Sequence, residues 1–177
     1  PVINIKDCIP EWCNFSTNTF NKNLVDELKK IKIYNGVLKN VFNLSVIYNG
    51  IKIEYGAGGA HACIKPGVYK EDDEYAILDV DIDGMYPSLE IIQNIYPEHL
   101  GKEFIEILDK EIVSVRKKEK KKPKKDRKFT IMEGFKLSAN GSYGKSNEEN
   151  SFLYDPLYTM KTTIPGQIII SMWVEQI

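Results

Sequence analysis

Read for the spacing of its apolar and polar positions, the chain falls into stretches of different period. Residues 18–40 mix Leu, Val and Ile with Lys and Asn and predict one helix. Residues 42–48 and 51–55 are apolar runs on either side of Asn49-Gly50. Both residues of that pair accept positive φ, so the segment predicts a β-hairpin. The run Gly56-Ala57-Gly58-Gly59, followed by Ala60-His61, reads as a plain bend or as a loop whose backbone closes on a phosphate. In residues 75–83, Leu78, Val80 and Ile82 alternate with Asp79, Asp81 and Asp83. A period of two predicts a strand with an apolar face on a core and three carboxylates on the other face. Gly84 and Pro87 end it, and a helix is expected from Ser88 to Tyr96, before Pro97.

Further along, Phe104, Ile105, Leu108, Ile112 and Val115 form an apolar stripe that predicts a helix over 101–121. Pro123 marks a turn, and a second helix is expected from Arg127 towards Asn140, which makes a helical hairpin with a basic tip. Residues 152–163 read as one or two strands. A helix after Pro165 carries Ile168, Ile169, Met172 and Trp173. The periodic pattern is still running at the last residue, so the chain is expected to be a piece of something longer. No internal repeat is visible. The fold class expected is α/β in the mixed, α+β sense.

Composition narrows the class. The 177 residues are 42% apolar and 28% charged, the balance of a globular chain with a core. The longest apolar stretch, 164–174, is broken by Gln167 and Ser171 and is too short to span a bilayer. No membrane association is expected, and the lack of a basic-then-apolar leader points to a cytoplasmic location. Cys8, Cys13 and Cys63 are an odd count without zinc-type spacing and read as reduced thiols. The net charge of −1 hides a segregation: residues 116–128 hold ten Lys or Arg against two acids. Such a block is either a solvated surface or a contact for phosphates.

The aspartates at 79, 81 and 83 also have more than one reading. Carboxylates gathered on one face repel, and a protein that gathers them usually supplies a cation; hard oxygen ligands favour Mg²⁺, Mn²⁺ or Ca²⁺. The plainer reading is a solvated acidic face. Asp79-x-Asp81-x-Asp83-Gly84 with Glu90 also satisfies the calcium-loop pattern of EF-hands. The two-residue period before it, Pro87 inside it and the lack of a second hand all argue against that reading.

A longer pattern uses more of the chain. Asp81-Ile82-Asp83-Gly84-Met85-Tyr86-Pro87-Ser88-Leu89 resembles motif A of family B DNA polymerases, D-x-x-S-L-Y-P-S-I, with Gly84 and Met85 departing from it. Lys136-Leu137-Ser138-Ala139-Asn140-Gly141-Ser142-Tyr143-Gly144 resembles motif B, K-x-x-x-N-S-x-Y-G, with Gly141 in place of Ser. Arg116 and Lys120 resemble the basic pair of the fingers helix. Thr162-Thr163-x-x-Gly166-Gln167 resembles the segment after motif B, and residues 55–61 are loosely similar to the glycine motif of viral and plasmid members. The likeness covers about residues 52–177.

The resemblance implies a partial palm sheet with an inserted antiparallel fingers hairpin. Residues 1–98 would then be an N-terminal segment and first part of the palm, 99–144 the fingers, and 145–177 a continuation of the palm. It implies nucleotidyl transfer from a dNTP to a primer 3′-hydroxyl, with two Mg²⁺ or Mn²⁺ ions. Asp81 and the Ile82 carbonyl would be metal ligands. Tyr86 would lie under the sugar, Arg116, Lys120, Lys136 and Asn140 would hold the triphosphate, and Tyr143 and Gly144 would face the nascent base pair. Asp79 and Asp83 are expected to be solvated acids. Implied partners are a DNA primer-template, the dNTP and other replication proteins, in a bacterial or phage-infected cell. A non-catalytic nucleic-acid-binding domain with the same fold is the alternative.

The family's motif C, an Asp-Thr-Asp-like strand, has no counterpart; Asp155, in Tyr154-Asp155-Pro156, does not fit it. One aspartate cannot hold two metals, so the isolated chain is expected not to polymerise. A primer-extension assay checks this, and extension at ordinary rates would refute it.

Overall fold

The structure, a computed structural model, describes residues 2–39 and 41–177. β1 (Val2–Asn4) pairs antiparallel with β2 (Lys32–Tyr34), which sets Ile3 opposite Ile33 with both side chains buried. Between them runs a short helical stretch: α1 (Asn18–Phe20), a π-helical segment (Asn21–Val25) and α2 (Asp26–Leu28). It buries Phe20, Leu24, Val25 and Leu28. The helix expected over 18–40 therefore ends early. Asn35 and Gly36 take φ of 55° and 68°, a left-handed pair that no helix continues through; residue 40 lies outside the described residues.

The expected hairpin is present. β3 (Asn43–Tyr48) pairs with β4 (Ile51–Gly56), and Asn49 and Gly50 turn the chain at φ of 47° and 76°. The glycine run is a turn, since Gly56 pairs with Gly59 and sends β5 (Gly59–Ala62) back along β4. The two antiparallel sheets with 49% helix and 13% strand make the fold mixed α and β.

The segment 75–83 is not a strand. It has no regular secondary structure and no ladder pairing, and Leu78 and Val80 are exposed. The alternation was real, but a strand needs a neighbour to bond its backbone. Among the described residues this segment pairs with neither of the two sheets. The expected palm strand is thus corrected to an irregular segment.

The strands expected in 152–163 are also corrected: α7 (Pro156–Gln176) fills that region. Asp155 caps it by accepting a bond from the Tyr158 N–H at 2.9 Å, and Pro156 takes the first helical position. α7 is buried from Tyr158 to Ile168 except at Lys161. Met160, Ile164 and Ile168 pack among Ile5, Phe20, Leu24, Val46 and Tyr55, while Thr159, Thr162, Thr163 and Gln167 are buried as well. Tertiary burial overrides propensity here. Thr162 and Thr163 donate to the carbonyls of Tyr158 and Thr159, one turn back. Gln167 Nε2 donates to the Gly56 carbonyl at 2.9 Å, and the Tyr55 and Ser171 hydroxyls meet at 2.8 Å, tying α7 to the three-stranded sheet. Glu175 Oε1 and Oε2 accept the Thr17 and Ser16 N–H groups at the start of α1.

α3 (Met85–Gln93) starts at Gly84, φ 63°, and stops short of the expected Tyr96 because Asn94 is left-handed, φ 53°. The long stripe gives α4 (Glu103–Ile107), a π-helical segment (Leu108–Val113) and α5 (Ser114–Lys120) as one run. α6 (Phe129–Gly144) returns antiparallel to it. Arg116 Nε donates to the Met132 carbonyl at 3.3 Å, and Glu119 accepts the Lys128 N–H at 2.6 Å. Ile105, Leu108, Val113 and Ala139 form the second apolar cluster inside this hairpin. Among the described residues no helix is long and apolar enough to cross a membrane. Cys8, Cys13 and Cys63 are unbridged.

Glu90 is fully buried between α3 and α7, and both its oxygens and the Tyr158 hydroxyl lack a hydrogen-bond partner. Burial pushes its carboxyl up to about 8, an effect that the nearby Tyr158 and Thr162 hydroxyls partly offset without reaching bonding geometry. The folded chain thus keeps a proton that the unfolded chain releases near its ordinary value. Stability is highest below the unfolded value and falls as pH rises towards about 8. Glu90→Gln should flatten that fall in Tm between pH 5 and 8, measured by thermal melts, whereas an unchanged slope would contradict it.

Candidate functional site

A cleft of about 650 Å³ opens between the start of α3, α5 and α6. The irregular segment and α3 bring Asp81, Ile82 and Tyr86 to it; α5 brings Arg116. α6 adds Lys136, Asn140, Tyr143 and Gly144. Two stretches some fifty residues apart in sequence therefore share one wall because the helical hairpin folds back on itself. Lys136 and Asn140 are exposed one turn apart on α6. A side chain added at Gly144 would meet nothing, so this end of α6 is open to a ligand.

The floor is aromatic. The Tyr86 and Tyr143 rings lie 4.6 Å apart at 37°, and the Tyr143 hydroxyl reaches Thr163 Oγ1 of α7 at 3.4 Å. Burial pushes both phenols above their ordinary values. Behind Tyr86 sits Gly166: a Cβ there would lie 3.0 Å from Tyr86 Cε1 and 3.2 Å from Met85 Cε. α7 can pass this close to α3 only with no side chain at that point.

Of the expected phosphate ligands, Lys120 does not line the cleft but lies at its edge. Its Nζ is 2.7 Å from Asp83 Oδ2, and Arg116 NH1 is 3.6 Å from Asp83 Oδ1. Asp83 is therefore ion-paired rather than merely solvated, and the hydrogen bond from Lys120 holds its carboxyl below the ordinary range. Asp81 is exposed and makes no ion pair among the described residues. Asp79 lies outside this cleft, in an adjoining groove with Ile170 and Trp173 that Asp81 also borders, so Asp81 stands between the two while Asp83 faces the cleft alone. Among the described residues no three His, Cys, Asp or Glu side chains converge as a metal group.

The calcium-loop reading fails on geometry. Glu90, which would have to close the loop, is buried against α7. Sequence reasoning missed the Asp83 pairing, the buried acid and the close pass at Gly166. Only the last left a signal, a Pro165-Gly166 step inside an apolar run. A second cleft, of about 460 Å³, lies at the start of α7, lined by Asp7, Gln93 and Lys161, and holds none of the motif residues.

No family model, curated protein or solved structure matches the chain.

Gly166→Val should push methyl groups into a Tyr86 ring that Tyr143 already confines. The expected loss is ~1–3 kcal/mol, a Tm drop of roughly 2–4 °C per kcal/mol for a chain this size. A melt unchanged from the parent would show that α3 can give way.

Proposed function

We propose that this chain carries the nucleotide-binding part of a family B-like DNA-directed DNA polymerase. The observation that supports this most is the meeting, in one cleft, of Asp81, Tyr86, Arg116, Lys136, Asn140 and Tyr143, residues drawn from two separate motifs and from the basic helix between them. In this reading, Arg116 and Lys136 bind the triphosphate, with Lys120 from the edge. Arg116 offers a planar fork already oriented by the Met132 carbonyl. Lys136 and Lys120 act as point charges that lower the energy of a leaving pyrophosphate. Asn140 orients the ligand by hydrogen bonding. The Tyr86 ring, backed by Gly166 and confined by Tyr143, forms a flat wall under the sugar, where a 2′-hydroxyl would clash. Tyr143 and Gly144 leave room for a base pair.

The donor set at the cleft mouth suits a hard cation: an exposed aspartate, Asp81, without a competing lysine or arginine, followed by the Ile82 carbonyl. These two would hold Mg²⁺ or Mn²⁺, which supplies charge stabilisation to the attacking and leaving oxygens.

Isothermal titration with a dNTP and Mg²⁺ tests the reading. Arg116→Ala and Lys136→Ala should each raise Kd about tenfold, the loss of one charge-assisted bond, while Lys161→Ala, at the other cleft, should leave it unchanged. A parent chain that binds no dNTP, or substitutions without effect, would sink it.

A second reading, a DNA-binding domain without catalysis, is favoured by the exposed tip of the hairpin, where Lys121, Lys122, Lys124 and Lys125 all face solvent. It predicts DNA binding whose log Kd changes with log salt at about 0.9 per phosphate contacted, undiminished by Lys136→Ala and with no dNTP binding. DNA affinity measured across a salt series decides between the two.

A further inference from the structure

Asp83 occupies a position that the nucleotide-binding reading leaves unexplained. It stands between the two cations assigned to phosphate and gives one oxygen to each: Oδ2 to Lys120 at 2.7 Å and Oδ1 to Arg116 at 3.6 Å. A carboxylate shared in this way between an ammonium and a guanidinium meets the same donors that a phosphate oxygen would meet. Arg116 is not free to turn away, because its Nε is committed to the Met132 carbonyl. An anion must therefore come to the face that Asp83 already uses.

The carboxylate is placed to leave. Asp83 side-chain exposure is 53% and that of Lys120 is 45%, so water screens the pair and replaces its bonds at little cost. Its backbone belongs to the irregular segment and is not held in a sheet. The next residue, Gly84, sits at φ 63° with open space around it, so the turn before α3 is free of side-chain obstruction.

We infer that Asp83 is an internal competitor for the polyphosphate: it occupies Arg116 and Lys120 and has to be displaced before an inorganic or nucleoside polyphosphate can use them. The inference rests on the nucleotide-binding reading and adds a residue that lowers, rather than raises, affinity at that site. One consequence is discrimination by charge. A ligand carrying a single negative charge gains little by replacing a carboxylate, whereas a triphosphate brings several charges to the same two cations.

The test is titration with inorganic triphosphate, without metal, of the parent chain, Asp83→Asn, Asp79→Asn and the pair Asp83→Asn with Lys120→Gln. Asp79→Asn removes the same charge from a residue outside the cleft. The expected result is binding about three- to tenfold tighter in Asp83→Asn, the range for two exposed ion pairs, with no such gain in Asp79→Asn. The gain should shrink when Asp83→Asn is made in a Lys120→Gln background. Thermal melts of each variant confirm that it is folded. Asp83→Asn binding no tighter than Asp79→Asn, or the same gain with Lys120 removed, would overturn the inference while leaving the phosphate site intact. Failure of both the parent and Asp83→Asn to bind triphosphate would instead overturn the nucleotide-binding reading and the inference with it.

Discussion

Burial of the middle of α7, from Tyr158 to Ile168, is the constraint from which the other features follow. Lys161 apart, that stretch has no solvent-facing position on which to place polar groups. Its threonines bond their own carbonyls and its glutamine bonds a strand end. On one side it carries the N-terminal core, with Met160, Ile164 and Ile168 against Ile5 and Phe20. On the other it supports α3, where Gly166 gives Tyr86 its position. The cleft's floor, Tyr86 of α3 and Tyr143 of α6, is thus backed by the most buried element of the chain, while Arg116 and Lys136 of its charged rim stand on α5 and α6.

That contrast explains what could be read from the sequence. The hairpin at Asn49-Gly50 was legible because its turn is a local matter of φ. The first helix of the basic hairpin was legible because its apolar stripe has the helical period, and the second because Pro123 marks the turn before it. Asp81, Tyr86, Arg116, Lys136, Asn140 and Tyr143, singled out by the resemblance, line one cleft, and Lys120 does not. Segments whose form is decided by remote partners were misread. Residues 75–83 have a strand's alternation but no neighbour to pair with, and 152–163 have a strand's composition but a helix's surroundings. The pairing of Asp83 with Lys120 joins residues far apart in sequence and depends on how the hairpin docks, which no local pattern encodes.

The charge segregation seen along the sequence becomes spatial in the fold. The basic residues crowd the tip and inner face of the α5–α6 hairpin, and Glu119 is buried beneath them, accepting from Lys122 and from the Lys128 N–H. One buried acid at the root of a cationic tip ties the loop to α5 and pairs, among the exposed tip lysines, with Lys122. Together with the aromatic floor, this gives the cleft an aromatic base and a positive rim.

The π-helical segment at Leu108–Val113 sets the direction in which that rim points. A π turn accommodates an additional residue within a helix, so everything after it is rotated relative to an uninterrupted α-helix, by about 100° for one residue. Arg116 and Lys120 lie just beyond it. The apolar stripe that seats α4 and the cations that face the cleft are therefore phased independently, with the wide turn as the coupling between two registers of one rod. In this geometry a single-residue deletion within 108–113 would act as a rotation, swinging the guanidinium and ammonium off the cleft while leaving the composition of the helix nearly intact.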